Sequence, residues 1–323
     1  MGKHVMKHRT AWLVVTVLSI FSAGIALAAQ RGGGPPPPAP IKPEPSRVLA
    51  PGATVQKLAG DFLFTEGPTV DRQGNIYFVD QLSDKILKYD TAGALTTFMT
   101  PSGRANGMSF DAQGRLIAAA DEKNELWSID VATKAVTVLV DGKYQDKLLN
   151  GPNDVWVHPT SGRIYFSDPY YQRSWWTRGP SESPQGVYFY SRDDRKLVAV
   201  DNDLMQANGI IGTPDGRTLY VADIRARQTY AYDINADGTL TNKRPFCPFG
   251  SDGMTIDNEG HVYLTTGGAV QVFDRTGERI ETIEVPESPA NIAFGGTDRQ
   301  TLFITARTGF YSVKTRVVGV DPQ

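Results

Sequence analysis

The sequence predicts an all-β protein built as a six-bladed β-propeller. One sequence motif recurs along the chain. It begins with an acidic or amide residue, which is the first of a turn-forming pair, and continues with an apolar run, an Asp-x-x-Gly-like turn and a second apolar run. The copies start roughly 40–55 residues apart, the interval typical of four-stranded propeller blades. The apolar runs are short and interrupted by Gly or Pro, so helical periodicity is almost absent.

Each copy begins at a residue that carries a side-chain oxygen, and the last copy is degenerate. The first residues are Glu66, Asn106, Asn153, Asn208, Asp252 and Asn291. If each blade starts its innermost strand at this residue, the first five side chains converge on one axis. A propeller can thus gather oxygen ligands that are far apart in sequence.

The first blade illustrates how the strands are assigned. After the inner strand, the Asp71–Gly74 turn leads to an alternating, aromatic and β-branched run at 75–79. Residues 86–89 and 94–99 are predicted as the third and fourth strands. Third strands of later blades are predicted at 126–129, 187–190, 229–232 and 270–273.

The sixth blade lacks one strand in the sequence pattern. It offers residues 301–306 and 309–313 after its first copy, and nothing further. Residues 54–58, just before the first blade, are well placed to complete it. Such closure would join the sheets into a ring and cover an otherwise exposed sheet edge.

Strand length decides which residues share a face. The first residue of a copy and its turn lie at opposite ends of a strand, about 17 Å apart at the usual rise. The second strand runs back, so the residues that end it return to the face of the first residues: Asp80, Asp168 and Asp223. His158 and His261 fall at the turn end, which argues against a Ser-His-Asp mechanism.

The N-terminus has the pattern of an export signal. Lys3, Lys7 and Arg9 precede an apolar stretch, and Ala26-Leu27-Ala28 forms a small-x-small cleavage site. An uncleaved membrane anchor is the alternative. We expect a signal peptide at 1–28, a Gly/Pro-rich linker at 29–47, a propeller domain at 48–323, and a periplasmic or secreted protein.

Composition limits the partners. The net charge is −2, and no Lys/Arg-rich run follows the first ten residues, which argues against a nucleic-acid surface. Cys247 is the only cysteine, so an intramolecular disulfide is impossible, and a buried apolar role is expected for it. After signal cleavage we expect no membrane contact, and the sequence does not indicate an oligomeric state.

Glu66, Asn153, Asn208 and Asp252, with Asn106 as a fifth candidate, offer hard oxygen donors. They suit Ca²⁺ or another hard divalent cation better than a soft metal. Without the cation two carboxylates would lie close together, with coupled and raised pKa values. The alternative is that these pairs are only turn formers. Glu is a weak turn former, and Glu66 therefore favours the functional interpretation.

Together and in this order, five stretches resemble the senescence-marker-protein/gluconolactonase/regucalcin-like family of six-bladed propellers, which includes bacterial lactonases. The stretches are Glu66-Gly67-Pro68, Gly151-Pro152-Asn153-Asp154, Phe166-Ser167-Asp168-Pro169, Ala207-Asn208-Gly209 and Ser251-Asp252-Gly253-Met254. The resemblance covers roughly residues 50–315, the extent expected of a complete propeller.

The resemblance implies a cation site and a reaction. The family binds one divalent cation, usually Ca²⁺ and sometimes Zn²⁺ or Mn²⁺, through a Glu, two Asn and an Asp. The matching ligands are Glu66, Asn153, Asn208 and Asp252, and Asp252 would also be the catalytic acid/base. A sugar-type lactone would be hydrolysed to its hydroxy acid.

Three further residues are candidate substrate contacts. Asn106 matches an Asn that bacterial members place near substrate, Asp168 could orient Asn153 or cap its own strand, and Tyr170 lies in the long connection of the third blade. In that connection, Tyr170-Tyr171 and Trp175-Trp176 could wall a sugar pocket or pack against the ring. Arg104 is the nearest match to an Arg that regucalcin-type members use on the sugar.

A different class of function remains open from the sequence. The same ring could be a non-catalytic calcium-binding propeller that serves as a binding scaffold. A strictosidine-synthase-like propeller would need a catalytic Glu in another blade, and no motif supports one.

Overall fold

Antiparallel four-stranded sheets repeat six times along the chain in the computed structural model. The structure describes residues 45–179 and 183–320, so the predicted signal peptide and most of the predicted linker lie outside the described residues. Within these ranges the helical content is one 3₁₀ turn at Gln81–Ser83. The predicted fold class, an all-β six-bladed propeller, is confirmed.

Before the first blade the chain forms one strand, β1 (Gln56–Ala59). The first blade contains β2 (Thr65–Val70), β3 (Ile76–Asp80), β4 (Lys85–Tyr89) and β5 (Leu95–Met99). The second blade contains β6 (Ala105–Phe110), β7 (Leu116–Ala120), β8 (Glu125–Ile129) and β9 (Val136–Val140). A two-stranded hairpin, which the sequence pattern did not predict, follows as β10 (Lys143–Tyr144) and β11 (Lys147–Leu148).

The remaining blades repeat the same order. The third contains β12 (Val155–Val157), β13 (Ile164–Ser167), β14 (Val187–Ser191) and β15 (Lys196–Asp201). The fourth contains β16 (Ala207–Gly212), β17 (Thr218–Asp223), β18 (Gln228–Ile234) and β19 (Leu240–Cys247). The fifth contains β20 (Met254–Ile256), β21 (Val262–Thr266), β22 (Ala269–Phe273) and β23 (Arg279–Glu284). The sixth contains β24 (Pro289–Gly295), β25 (Thr301–Ala306) and β26 (Gly309–Lys314).

The N-terminal strand closes the ring, as the sequence predicted. β1 pairs antiparallel with β26, with Gln56 opposite Ser312, and so becomes the outer strand of the sixth blade. The strand begins at Gln56 rather than at residue 54. β26 is therefore paired on both sides, and the sixth blade has four strands like the other five.

Six hydrophobic clusters hold the ring together, each lying between two neighbouring blades. Between the first and second blades, Tyr77 packs edge-on against Phe110 with ring centroids 5.3 Å apart. Between the sixth and first, Phe78 stacks on Phe310 at 4.3 Å. Burial between flat sheets explains why strands β3 and β7 are apolar on both faces.

The innermost strands contact one another around the ring, each touching the innermost strands of both neighbouring blades. They begin at one end of the ring, which we call the entry face: the end that holds Glu66, Asn208 and Asp252. None of the described residues lies in a helix that is long and apolar enough to cross a membrane.

Candidate functional site

The recurring sequence pairs lie at register irregularities of the inner strands. In the first blade Glu66 faces Val79, but Thr69 faces Tyr77, so the inner strand carries an extra residue between them. The same irregularity falls at Asn106-Gly107 and at Asn208-Gly209. A bulge re-aims the side chains next to it, and in these three blades it lies at or directly after the first residue of the pair.

Two glycines of these pairs are required by close packing between blades. Gly67 has φ +49°, and a Cβ there would lie 1.9 Å from the carbonyl oxygen of Asn106. A Cβ on Gly253 would lie 2.0 Å from Oδ1 of Asn291. Each pair therefore touches the first residue of the next blade, and the pairs form a closed ring at the axis.

Two carboxylates of this ring lie close enough to affect each other. Glu66 is buried, and its Oε2 accepts the N–H of Gly67 at 2.8 Å. Burial raises the pKa of Glu66 well above its usual value, and the negative charges of Asp252 and Asp154 raise it further. Burial likewise raises the pKa of Asp252, opposed mainly by a hydrogen bond from Asn208. The expected coupled, raised pKa values follow from this geometry.

Asn208 links the fourth blade to the fifth. Its Nδ2 donates to Oδ1 of Asp252 at 2.8 Å and to the hydroxyl of Tyr171 at 2.9 Å. Asn153 lies on the same ring, where its carbonyl oxygen accepts the N–H of Gly107 at 2.6 Å. Within the described part of the chain, the side-chain amide of Asn153 makes no hydrogen bond.

The donor chemistry of the ring fits a hard cation. Oδ1 of Asn208 and Oδ1 of Asn106 are buried, and among the described residues neither has a hydrogen-bond partner. Unpaired buried carbonyl oxygens are costly unless a ligand satisfies them. No cluster of three or more His, Cys, Asp or Glu suited to a metal occurs in the described ranges. The four predicted ligands are instead two carboxylates, Glu66 and Asp252, and two amides, Asn153 and Asn208. Such a set of oxygen donors suits Ca²⁺ better than a soft metal.

Two ring residues were missed as site residues by the sequence interpretation. Asp154 replaces the Gly of the other pairs, and its oxygens accept the N–H groups of Val155 and Ile210. Burial raises its pKa to about 7. Asn291 is the first residue of the degenerate sixth copy, and its side chain lowers the pKa of Glu66, opposing the effect of burial. Their positions in the repeat could have indicated both: Asp154 is the second residue of the third copy, and Asn291 is the first residue of the sixth.

Two cavities border residues of this ring. Asp154 and Asn291 line an axial cavity of about 130 Å³ that continues between the inner strands toward the turn end. Asp252, partly exposed, lines a cavity of about 600 Å³ together with Ile224, Phe249 and other residues. The second cavity therefore borders Asp252 at the entry face.

The aspartates that end second strands return to the entry face, as predicted, and hold the loops that lead into the inner strands. Asp80 accepts the N–H of Phe64 at 2.9 Å, and Asp223 accepts that of Met205 at 2.7 Å. Asp168 accepts the N–H groups of Asn150 and Gly151, both at 2.8 Å. Asp168 is fully buried with both oxygens occupied. These contacts match the strand-cap alternative; substrate contact by Asp168 stays a prediction.

Of the two adjacent tyrosines in the third-blade connection, Tyr171 reaches the ring. The Tyr170 hydroxyl donates to the side chain of Gln172 instead. Burial raises the pKa of Tyr171, and the charge of Asp252 raises it further. The Tyr170 hydroxyl is directed toward its own loop, and substrate contact by Tyr170 stays a prediction.

The rest of that connection packs on the second blade. The indole N–H of Trp176 donates to the carbonyl oxygen of Glu122 at 3.0 Å, and the Arg178 guanidinium covers the Trp176 ring at 3.7 Å. Arg104 lies on the entry face, where it donates to the carbonyl oxygen of Leu82 at 2.7 Å and covers the Trp175 ring at 5.0 Å. Packing against the second blade therefore explains the position of the Trp176 side chain.

The histidines lie at the turn end, as predicted. His158 accepts the N–H of Thr160 and pairs with the carbonyl oxygen of Gly216 at 3.0 Å. His261 pairs with Asp257 at 2.8 Å. Cys247 is buried, and burial raises the pKa of its thiol to about 11. None of these three side chains takes part in the axial ring.

Comparisons with known proteins point to one family. The family model of the SMP-30/gluconolactonase/LRE-like region matches residues 64–308. The chain is 27% identical to a gluconolactonase of Zymomonas mobilis over 309 residues, which covers 86% of each chain. It is 26% identical to a pentonolactonase of Haloferax volcanii over 248 residues, covering 72% of this chain and 78% of the relative.

Solved structures give the same architecture. A gluconolactonase of Xanthomonas campestris matches with a TM-score of 0.77 at 26% identity, covering 83% of this chain and 91% of that chain. A calcium-binding regucalcin of Agrobacterium tumefaciens matches with a TM-score of 0.69 at 23% identity, covering 85% and 96%. The second match supports the fold alone.

Proposed function

Because the chain belongs to the SMP-30/gluconolactonase/LRE-like family, we propose that it is a lactonase, a hydrolase that opens the ester bond of a small lactone to give a hydroxy acid. The observation that carries the proposal is the axial ring of Glu66, Asn208 and Asp252 within the matched region. It combines buried side-chain oxygens with Asp252, a residue that lines an open cavity.

The proposed substrate is a sugar-type lactone. Two relatives that align over most of the chain carry the names gluconolactonase and pentonolactonase. The entry face supports a polar substrate, since it contributes the Asn106 amide, the Arg104 guanidinium and the Tyr171 hydroxyl. Glucono-δ-lactone and five-membered pentonolactones are therefore the first compounds to test.

The residues proposed to hold a divalent cation are Glu66, Asn153, Asn208 and Asp252. Ca²⁺ is favoured because all four donors are hard oxygens, and Zn²⁺ or Mn²⁺ are the alternatives. When bound, such a cation supplies Lewis-acid polarisation of an ester carbonyl. The buried Oδ1 of Asn208, without a partner among the described residues, supports this assignment.

Asp252 is proposed as the general base. Its Oδ1 accepts a hydrogen bond from the Asn208 amide, which fixes the carboxylate plane, and the remaining lone pairs of the two oxygens are left for the cation and for a water molecule. Asp252 would take one proton from that water as the water oxygen attacks the acyl carbon. The ring C–O bond then breaks, and the released alkoxide takes up a proton to give the hydroxy acid.

Export and partners are proposals of the same kind. The signal pattern at 1–28 supports a periplasmic or secreted enzyme, and it lies outside the described residues. The net charge of −2 supports a small-molecule substrate rather than a nucleic acid.

A hydrolysis assay tests the proposal. The purified protein is incubated with a panel of five- and six-membered lactones, and acid release is followed with a pH indicator. Chelator treatment and add-back of Ca²⁺, Zn²⁺ or Mn²⁺ are compared in parallel. We expect turnover of at least one sugar lactone that chelation removes and one cation restores. A panel that stays inert with every cation would instead favour the non-catalytic cation-binding scaffold.

A further inference from the structure

Tyr171 lies over the axial ring although it belongs to a connection rather than to an inner strand. It follows β13 in the third-blade connection, within the described stretch 169–179. Its hydroxyl oxygen accepts the Nδ2–H of Asn208 at 2.9 Å, and the same Nδ2 donates to Asp252 at 2.8 Å. The phenol is thus one hydrogen bond away from the carboxylate proposed as general base.

The hydroxyl proton of Tyr171 is left without an acceptor by this arrangement. A tyrosine hydroxyl can accept and also donate, whereas the amide nitrogen of Asn208 only donates. In their contact Tyr171 must therefore be the acceptor. Among the described residues, no oxygen is hydrogen-bonded to its proton, so Tyr171 presents an unused O–H donor beside the ring.

The Tyr171 ring is also held in place before any ligand arrives. The Arg173 guanidinium covers the ring at 5.2 Å from its centroid. Arg173 Nε lies 2.6 Å from Oδ2 of Asp121, a buried residue at the end of the second blade's β7. A loop side chain is in this way anchored to a neighbouring blade. Preorganised donors stabilise developing charge more effectively than donors that must reorient.

We propose that Tyr171 is a substrate-contacting residue whose hydroxyl donates a hydrogen bond to the reacting ester group of the lactone. The bond strengthens as negative charge develops on the substrate oxygen during attack by water. The inference rests on the proposed lactonase function. It adds to that function a donor from the third-blade connection, which none of the recurring sequence pairs contains.

The test is Tyr171→Phe, which removes the hydroxyl and keeps the ring under Arg173. With a lactone that the wild type hydrolyses and saturating Ca²⁺, we expect kcat to fall about 100-fold, as for loss of one oxyanion donor. KM should change less than about threefold, because the bond is strongest in the transition state. The matched control is Tyr144→Phe, on a hairpin hydroxyl that contacts Gln145; its kcat should equal that of the wild type.

A second readout separates a substrate contact from a role in positioning Asn208. The rise in melting temperature on adding Ca²⁺ is measured for wild type and Tyr171→Phe. We expect the two rises to agree within about 1 °C, which is less than the change in melting temperature that a stability difference of about 1 kcal/mol would cause. A lost rise, or a kcat that excess Ca²⁺ restores, would assign Tyr171 to positioning and overturn the inference.

The failure of this inference differs from the failure of the proposed function. If the wild type hydrolyses lactones and Tyr171→Phe retains kcat within twofold, only the role of Tyr171 is overturned. If the wild type hydrolyses none of the lactones with any cation, the lactonase proposal falls and this inference falls with it.

Discussion

Asn208 donates an amide proton to Oδ1 of Asp252 at 2.8 Å across the interface between the fourth and fifth blades, 44 residues apart in sequence. Its other amide proton goes to the hydroxyl of Tyr171. With both protons committed, Oδ1 of Asn208 must face another direction, and it is buried without a partner among the described residues. These contacts fix the directions of one proposed ligand oxygen and of the proposed base.

Asp252→Asn should separate catalysis from stability. Asn keeps the shape of the side chain and can still accept from Asn208, but it cannot take a proton from water. At saturating Ca²⁺ we expect kcat to fall at least about 100-fold, with a melting temperature close to that of the wild type. Steady-state kinetics and thermal unfolding are measured on the same samples. Activity and melting temperature declining in step would favour a structural role for the cation.

Removal of the cation should lower stability. Without it, burial and then the negative charge of Asp252 raise the pKa of Glu66. A cation at a free concentration about 100 times its dissociation constant stabilises the folded protein by about 2.7 kcal/mol. Chelation should therefore lower the melting temperature by several degrees, and Ca²⁺ should restore it. In Glu66→Gln the shift should shrink. If neither chelator nor Ca²⁺ changes the melting temperature of the wild type, that result would argue against the proposed cation site.

Gly67→Ala should damage the ring at one point. The new Cβ would lie 1.9 Å from the carbonyl oxygen of Asn106, at a φ of +49°. Gly114→Ala is the matched control, because Gly114 also has positive φ, +74°, but a Cβ there would meet nothing within 4 Å. We expect a loss of about 1 kcal/mol for the control and about 3 kcal/mol for Gly67→Ala. Urea unfolding measures both, and equal losses would contradict the close-packing argument.

Glu287→Gln should reduce stability at neutral pH more than at acid pH. Burial raises the Glu287 pKa, but hydrogen bonds from Tyr311 and Thr308 outweigh burial and lower it from 4.5 to about 2. A lowered folded-state pKa contributes stability above the unfolded value, and this contribution is lost as pH falls from about 4.5 toward 2. After allowance for solvent screening it amounts to about 1–2 kcal/mol.

The measurement is urea unfolding of wild type and Glu287→Gln at pH 7 and near pH 2.5. We expect the difference between the two proteins to shrink at the lower pH. Asp298→Asn, at an exposed ion pair with Lys314, serves as a control with a smaller expected effect. A difference that is the same at both pH values would contradict the assignment.

Local signals were enough for most strands. The predicted run at 301–306 coincides with β25, and the predicted run at 86–89 lies within β4 (Lys85–Tyr89). Alternating apolar residues bounded by tight turns specify such strands without distant contacts. The closing strand was also foreseen, because one blade lacked a partner and the chain had one unpaired run to spare.

Local signals do not distinguish two neighbouring residues that are chemically alike. Tyr170 and Tyr171 both lie in a connection, where no strand alternation indicates which side chain faces the axis. The contact of Tyr171 with Asn208 decides it. The anchor of that connection, Arg173 on Asp121, joins two blades and has no counterpart in the sequence pattern.

The repeat spacing and strand alternation of this sequence determined a six-bladed ring, the face on which Glu66, Asn208 and Asp252 lie, and the position of His158 and His261 away from that face. Only the tertiary structure decided which oxygens meet. Bulges lie at the two Asn-Gly pairs, and a hydrogen bond between blades orients Asn208 toward Asp252. Sequence periodicity specifies the strand that carries a residue, whereas the direction of a single side chain depends on partners supplied by other blades.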